Sequence, residues 1–430
     1  MPKIQRLTAR EILDSRGRPT VLAKCWLEHG SGEASVPSGA STGGAEAVEL
    51  RDGDLKRYGG LGCRKAIANI EGEISHALSG LDLPTQADLD ARLLTLDATP
   101  RKSRLGANAV LAVSLAFARA AAISQNLPLW KYFSGLLGVE PKALPRLTVN
   151  LFSGGKHAGQ QVPLQDVLIV PLQSRTIDES LTIVYDIFQA AADLSQKRYN
   201  MRLLRADEGG LAPPFNSAEE MLQTAVDAIS SAGYSPGEQI ALAVDVAATH
   251  FYSDQSYTLG SEKLSSGQMI TRLERWVEDY PIISLEDGLA ENDWQNWPQL
   301  MARLGRRVLV VGDDLLCTQP ARIRRAIETK SANALLLKVN QVGTLTEAAE
   351  AWRIARLADW SIVLSVRSGE TEDTWAADLA VGWCANQFKN GSITQSERLA
   401  KLNRLLEIEQ ETGLLVAPWP VNTIRNSPRL

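Results

Sequence analysis

Cysteine is scarce. The chain of 430 residues has four, Cys25, Cys63, Cys317 and Cys384, too far apart for a disulfide framework, a CxxC redox pair or a structural zinc site. They read as small core residues of a protein kept in a reducing compartment. Histidine is equally sparse, and His29, His76 and His250 lack any metal-ligand spacing. No Walker loop, GxGxxG or GxSxG is present, so nothing points to nucleoside triphosphate, dinucleotide or serine-hydrolase chemistry. Positive charge is in slight deficit: 45 basic against 50 acidic side chains leave a net charge of −5. That balance has no footprint for nucleic acid or for an anionic membrane surface, and an anionic substrate must be held by local cations. Long apolar runs are missing too. The most apolar stretch, residues 107–118, is flanked by Arg104 and Arg119 and has the length of a buried helix. The opening MPKIQRLTAREILDSRG carries charges every few residues and no apolar centre, so a cytoplasmic protein is expected.

Composition is otherwise that of a globular chain, with 44% hydrophobic and 22% charged residues. Short apolar runs, each ending in a charge, recur as ALAVD to Asp245, IISLE to Glu286, VLVVGD to Asp313, ALLLK to Lys338 and SIVLSVR to Arg367. The intervals between these charges are 41, 27, 25 and 29 residues, enough for a strand and a crossover helix. SGQMITRLERWVEDY, QPARIRRAIETK and TLTEAAEAWRIARLAD lie between them and carry apolar residues at helical spacing. Such alternation predicts a parallel sheet buried on both faces, closed into an α/β barrel of the TIM type; a doubly wound open sheet is the competing arrangement. The charges at the run ends favour the barrel, because barrels carry their chemistry at the carboxyl ends of strands.

The first part of the chain has a different pattern. IQRLTAREILDSRGRPTVLAKCWLEHG reads as two or three antiparallel strands around the turn SRGRP, and VPSGASTGGAEAVELRDGD as a polar loop. An alanine-rich helix over 107–123 follows, too apolar to lie on a surface. Prolines and glycines near Pro141 suggest a boundary, giving an α+β capping domain over 1–140 and a barrel domain over 141–430.

Asp245, Glu286 and Asp313 end three consecutive predicted strands and would converge in a barrel. Gathered carboxylates repel one another and resist desolvation unless a cation joins them, and a hard divalent ion such as Mg²⁺ suits all-oxygen ligands. Each could instead cap the helix that follows it. Lys338, ending the next strand, is either a base whose neutral form is favoured by burial or a salt-bridge partner of those acids. Arg367 and Ser368 offer a guanidinium fork and a hydroxyl suited to phosphate. Asp207 and Glu208 precede two glycines that allow close backbone approach to a ligand, and FSGGKHAGQQ has the same character around His157. Either segment also reads as a solvated turn.

VPSGASTG, GGKHAG, DEGGLAP, SLEDGL, VGDDL, LLLKVNQVG, RSGETED and NQFKNGS occur in the order and spacing of the enolases, and AREILDSRGRPTV and SERLAKLNRLLEIE resemble them too. The resemblance spans essentially the whole chain. It implies a small α+β domain before an eight-stranded α/β barrel with atypical first units, and a Mg²⁺-dependent lyase interconverting 2-phosphoglycerate and phosphoenolpyruvate. Two Mg²⁺ ions are implied, one on Asp245, Glu286 and Asp313, a second brought by Ser41 as its loop closes. Lys338 would remove the C2 proton and Glu208 would protonate the departing C3 hydroxyl. Arg367 and Ser368 would hold the phosphate and Lys389 the carboxylate, with His157, Gln165 and Asp166 lining the substrate. A homodimer, or an octamer built from it, is also implied.

The pattern departs from that family at two positions that bear on the leaving hydroxyl. Asp166 stands where these enzymes have glutamate, one methylene longer, and Val366 where they have histidine. Lys156, before the loop histidine, adds a positive charge. Besides a glycolytic enolase, the departures leave open a paralogue acting on another phospho- or phosphono-carboxylate, and a non-catalytic binding protein that keeps the fold.

Overall fold

Residues 3–40, 42–200 and 202–420 are described by the computed structural model. β1 (Ile4–Leu13), β2 (Pro19–Leu27) and β3 (Gly30–Ser35) form an antiparallel meander in that order, as the SRGRP turn predicts. Asp14 shapes the β1–β2 turn by accepting the backbone N–H groups of Arg16 and Arg18, at 2.8 and 2.9 Å, while Gly17 takes the left-handed φ of +70°. The sheet lies on the Ala107–Ser124 helix. By length and composition this helix could cross a bilayer, but its side chains are mostly buried against the sheet and neighbouring helices. Contact there is backbone to backbone: a Cβ added to Gly32 would meet Ala120 N at 2.4 Å.

The rest is a closed eight-stranded barrel. Its strands are β4 (Arg146–Ser153), β5 (Asp166–Pro171) and β6 (Ile240–Asp245), then β10 (Ile282–Glu286), β11 (Leu309–Gly312), β12 (Ala334–Leu337), β13 (Ser361–Ser365) and β14 (Gln387–Lys389). Helices expected between the runs occur at Ser266–Asp279, Pro320–Thr329 and Leu345–Leu357. The long first interval, between Asp245 and Glu286, contains a small extra sheet of β7 (Tyr252–Ser253), β8 (Ser256–Leu259) and β9 (Glu262–Leu264).

One expectation is corrected. The barrel is not wholly parallel: β5 runs antiparallel to both β4 and β6. The loop from Ser153 to Asp166 leaves and re-enters the barrel at the same end, as an antiparallel pair requires. Reversal brings the first residue of β5, Asp166, level with Asp245 at the end of β6.

Alternation along the strands accounts for the site. Leu168, Ala243, Val311, Leu336 and Val363 point into the barrel and pack with Trp419 in a core separate from the larger one between barrel and helices. Two residues beyond Ala243, Val311 and Leu336 stand Asp245, Asp313 and Lys338, so the same inward face turns from apolar to charged at the mouth.

Candidate active site

The register of β6 and β10 places Asp245 beside Glu286. Lys389 Nζ, from β14, bridges them at 2.9 Å to Asp245 Oδ2 and 2.7 Å to Glu286 Oε2. Gln165 Nε2 donates to the same Asp245 oxygen at 3.0 Å. Lys338 Nζ pairs with Asp313 Oδ2, and Asp313 Oδ1 accepts from Gln341 Nε2 at 2.8 Å. One ammonium serves two acids at Lys389, and the consequences differ. Burial raises both carboxyls, but Lys389 and Gln165 hold Asp245 down at about 2, whereas Glu286 is driven well above the carboxylate range by burial and by Asp245. Glu286 Oε1 is buried and accepts no hydrogen bond. An acid under that strain, with an unbonded oxygen beside two further carboxylates, fits a cation. The three predicted ligands are not gathered as tightly as Asp287, Asp313 and Asp314, whose oxygens lie within 4.8 Å of one another. In that second group Asp287 is occupied as an acceptor of the Asp313 and Asp314 backbone N–H groups, at 3.0 and 2.7 Å.

Lys338 lies at the barrel mouth, paired with Asp313. Burial favours the neutral amine, yet Asp313 and Glu286 outweigh it and hold the ammonium above its ordinary value. The salt bridge left open by the sequence is therefore formed.

Asp166, on the strand next to Asp245, has its Oδ2 2.9 Å from His157 Nδ1, and Ser153 Oγ donates to its Oδ1 at 2.6 Å. Both oxygens of Asp166 are thus engaged away from the centre. His157 Nε2 lies 3.8 Å from Glu208 Oε1, and Asn150 Nδ2 donates to Glu208 Oε2 at 3.0 Å. Burial works against the imidazolium, but Asp166 and Glu208 raise it to about 9. Burial also works against an ionised Glu208, and the cations His157, Arg398, Lys389 and Lys338 reverse that and lower its pKa. The proton of this pair accordingly rests on His157. His250, read as structural, is close enough to feel Lys156, Asp245 and His157, and burial and Lys156 push it down to about 4.

Arg367 is buried with its fork on Glu46, Nη1 to Oε2 at 2.9 Å and Nη2 to Oε1 at 3.2 Å, and Nη1 also reaches Asn340 Oδ1 at 2.9 Å. Ser368 Oγ accepts from Ala40 N at 2.7 Å and from Arg16 Nη1 at 3.3 Å. Ser41 lies outside the described residues. Val366 is buried on the same wall and presents only methyl groups.

Together His157, Gln165, Glu208, Asp245, Asp313, Lys338, Val366, Arg367, Ser368 and Lys389 enclose a cavity of about 20 Å³, room for a single water. A cleft of about 880 Å³ lies elsewhere, lined by residues such as Arg10, Glu33, Arg119, Asp373 and Arg404. We locate the site by its chemistry, since the larger cleft has its charges in ordinary ion pairs such as Arg119 with Asp373 and Arg404 with Asp378.

Sequence reasoning missed Glu46, Arg16, Asn150, Ser153 and Asn340, whose partners are mostly far along the chain. It also missed Arg398 and Lys401. Their signal was legible: they sit at i and i+3 on the same helical stripe as Leu402 and Leu405, where cations are out of place.

Inward acids, two lysines and an arginine at its mouth make this an α/β barrel with its charges gathered at the carboxyl ends of the strands. Comparison with protein families gives the family described as enolase, C-terminal TIM barrel domain, over residues 141–419 and the enolase N-terminal domain over residues 4–133. The chain belongs to the enolase family.

Proposed function

We propose that this protein is a Mg²⁺-dependent hydro-lyase that interconverts 2-phosphoglycerate and phosphoenolpyruvate in the cytoplasm. The unbonded, buried Oε1 of Glu286, a residue level with Asp245 among acids and lysines, is the observation that carries the reading. Asp245, Glu286 and Asp313 hold the metal, and Ser41 contributes to a second. A Mg²⁺ held by them would supply the Lewis-acid stabilisation that negative charge developing beside a carboxylate needs. Lys338 takes the C2 proton, which requires Asp313 to have another partner than the ammonium seen here. The C2–H electrons form the C2–C3 double bond, and the C3 hydroxyl leaves as water after gaining a proton from the His157–Glu208 pair. Arg367 and Ser368 hold the phosphate and Lys389 the carboxylate, with Gln165 and Asp166 supporting that wall. The assembly is a homodimer or an octamer built from four such dimers.

Appearance of the enol phosphate in ultraviolet absorbance, with 2-phosphoglycerate and Mg²⁺, tests this directly. Absence of turnover at high enzyme concentration, with Mg²⁺ binding demonstrated by a melting shift, removes it.

Asp166 and Val366 favour a second reading, in which Lys338 abstracts the α-proton of a different phospho- or phosphono-carboxylate. Asp166 is spent on Ser153 and His157, and Val366 offers no proton. Deuterium exchange at C2 of 2-phosphoglycerate without elimination supports that alternative. The double substitution Asp166→Glu/Val366→His should raise the hydratase rate by about a hundredfold if misplaced groups alone limit it.

A further inference from the structure

The Ser396–Thr412 helix carries two fully buried cations, Arg398 and Lys401, each 0% exposed. Arg398 Nη1 donates to the carbonyl of Arg367 and Nη2 to that of Ser368, both at 2.8 Å. Lys401 Nζ donates to the carbonyl of Thr371 at 2.8 Å and lies 3.0 Å from Glu370 Oε2. Glu370 in turn accepts the backbone N–H of Arg367 at 3.2 Å through its other oxygen. The arginine is itself held in place. Its carbonyl accepts from Asn390 Nδ2 at 2.9 Å, and Gly391 packs so closely that a Cβ there would come within 3.1 Å of Arg398 Cδ and 2.9 Å of Glu208 O.

Withdrawing a guanidinium from water is costly, and two carbonyl dipoles do not neutralise it. The nearest carboxylate oxygen, Glu397 Oε1, lies 3.3 Å from Nε but makes no hydrogen bond. An apolar residue would fill this stripe of the helix more cheaply. What a planar fork does, and an apolar or ammonium group does not, is hold two consecutive carbonyls at a fixed spacing.

We propose that Arg398 is a positioning residue for the anion-binding arm. By gripping the main chain of Arg367 and Ser368 it fixes the turn from which both side chains project, and through Asn390 it ties that turn to the strand of Lys389. Lys401 secures the same segment one helical turn later. The inference rests on the reading of Arg367 and Ser368 as phosphate ligands.

Affinity for inorganic phosphate, measured calorimetrically on the full chain with saturating Mg²⁺, tests the role without depending on turnover. Arg398→Lys keeps the charge but loses the fork, and should weaken phosphate binding about tenfold, as disturbing a supporting residue does at other ion sites. Where turnover is measured, KM should rise more than kcat falls. A folded Arg398→Lys variant with a lower melting temperature and unchanged phosphate affinity overturns the proposal. Should that variant not fold, Lys401→Met decides: it should show a smaller loss in the same direction, and unchanged affinity overturns the proposal equally. Arg367→Lys separates the two levels of the argument. Undiminished binding there removes the phosphate reading and the positioning role together, whereas a loss in Arg367→Lys with none in Arg398→Lys removes the positioning role alone.

Discussion

Replacing His157 and Asp166 together by neutral amides, His157→Gln/Asp166→Asn, should flatten the alkaline dependence of stability. Both side chains are buried and share a 2.9 Å contact. Burial opposes the imidazolium, yet Asp166 and then Glu208 lift His157 from 6.5 to about 9. Between those values the native protein holds a proton that the unfolded chain has lost. Stability therefore falls as pH rises through the window; the contribution is fully present below 6.5 and gone above about 9. A shift of this size corresponds to roughly 3 kcal/mol. The single change His157→Gln would leave Asp166 buried without its partner and add a titration of its own, which is why both are replaced. Asp314, pushed up to about 8 by burial and Asp313, titrates in the same window, and the difference between the two proteins removes its contribution. Urea unfolding across the window supplies that difference. With four histidines, imidazole resonances of a selectively labelled sample follow each ring directly. A difference that does not change with pH, or a His157 resonance with its midpoint near 6.5, refutes the reasoning.

Glu286→Gln relieves the acid that burial and Asp245 drive upward, so without metal its melting temperature should match or exceed that of the wild type. The same variant should lose the stabilisation that Mg²⁺ gives the wild type; an unchanged Mg²⁺ shift rules out Glu286 as a ligand. Gly32→Ala forces a methyl group to 2.4 Å from Ala120 N and 2.7 Å from Ala116 O, neither able to yield without bending the helix. Chemical denaturation should show a loss of about 2 kcal/mol. Trp419→Ala empties the floor of the barrel core and should cost about 3 kcal/mol, read in the same assay.

Much of the fold was legible because strands buried on both faces must be written in apolar residues. ALAVD, VLVVGD and ALLLK announced both the barrel and the inward charges at its mouth. LQDVLIVP was just as apolar, but such a run has no direction, so the reversal of β5 left no mark on it. The pairing of Glu46 with Arg367 links residues 321 positions apart and is a product of the fold alone. Lys338 illustrates another limit: its neighbours decide its charge, and they are known only once the strands are placed. Three of the ten tryptophans, unexplained by any motif, find a structural account. Trp276, Trp297 and Trp383 are fully buried, and their indole N–H groups donate to Glu219 Oε1, Ala290 O and Phe133 O at 2.8, 3.0 and 3.1 Å.

The backward strand makes one stretch of chain separable from the rest. Between Ser153 and Asp166 the polypeptide leaves the rim and returns to it, and Gly154 and Gly155 are fastened to Gln165 and Val162 by main-chain hydrogen bonds of 2.7 and 2.8 Å. His157, Gln165 and Asp166 therefore travel as one cassette. Exchanging that cassette with a relative would rewrite one wall of the reaction chamber while leaving Asp245, Glu286, Asp313 and the two lysines on their own strands.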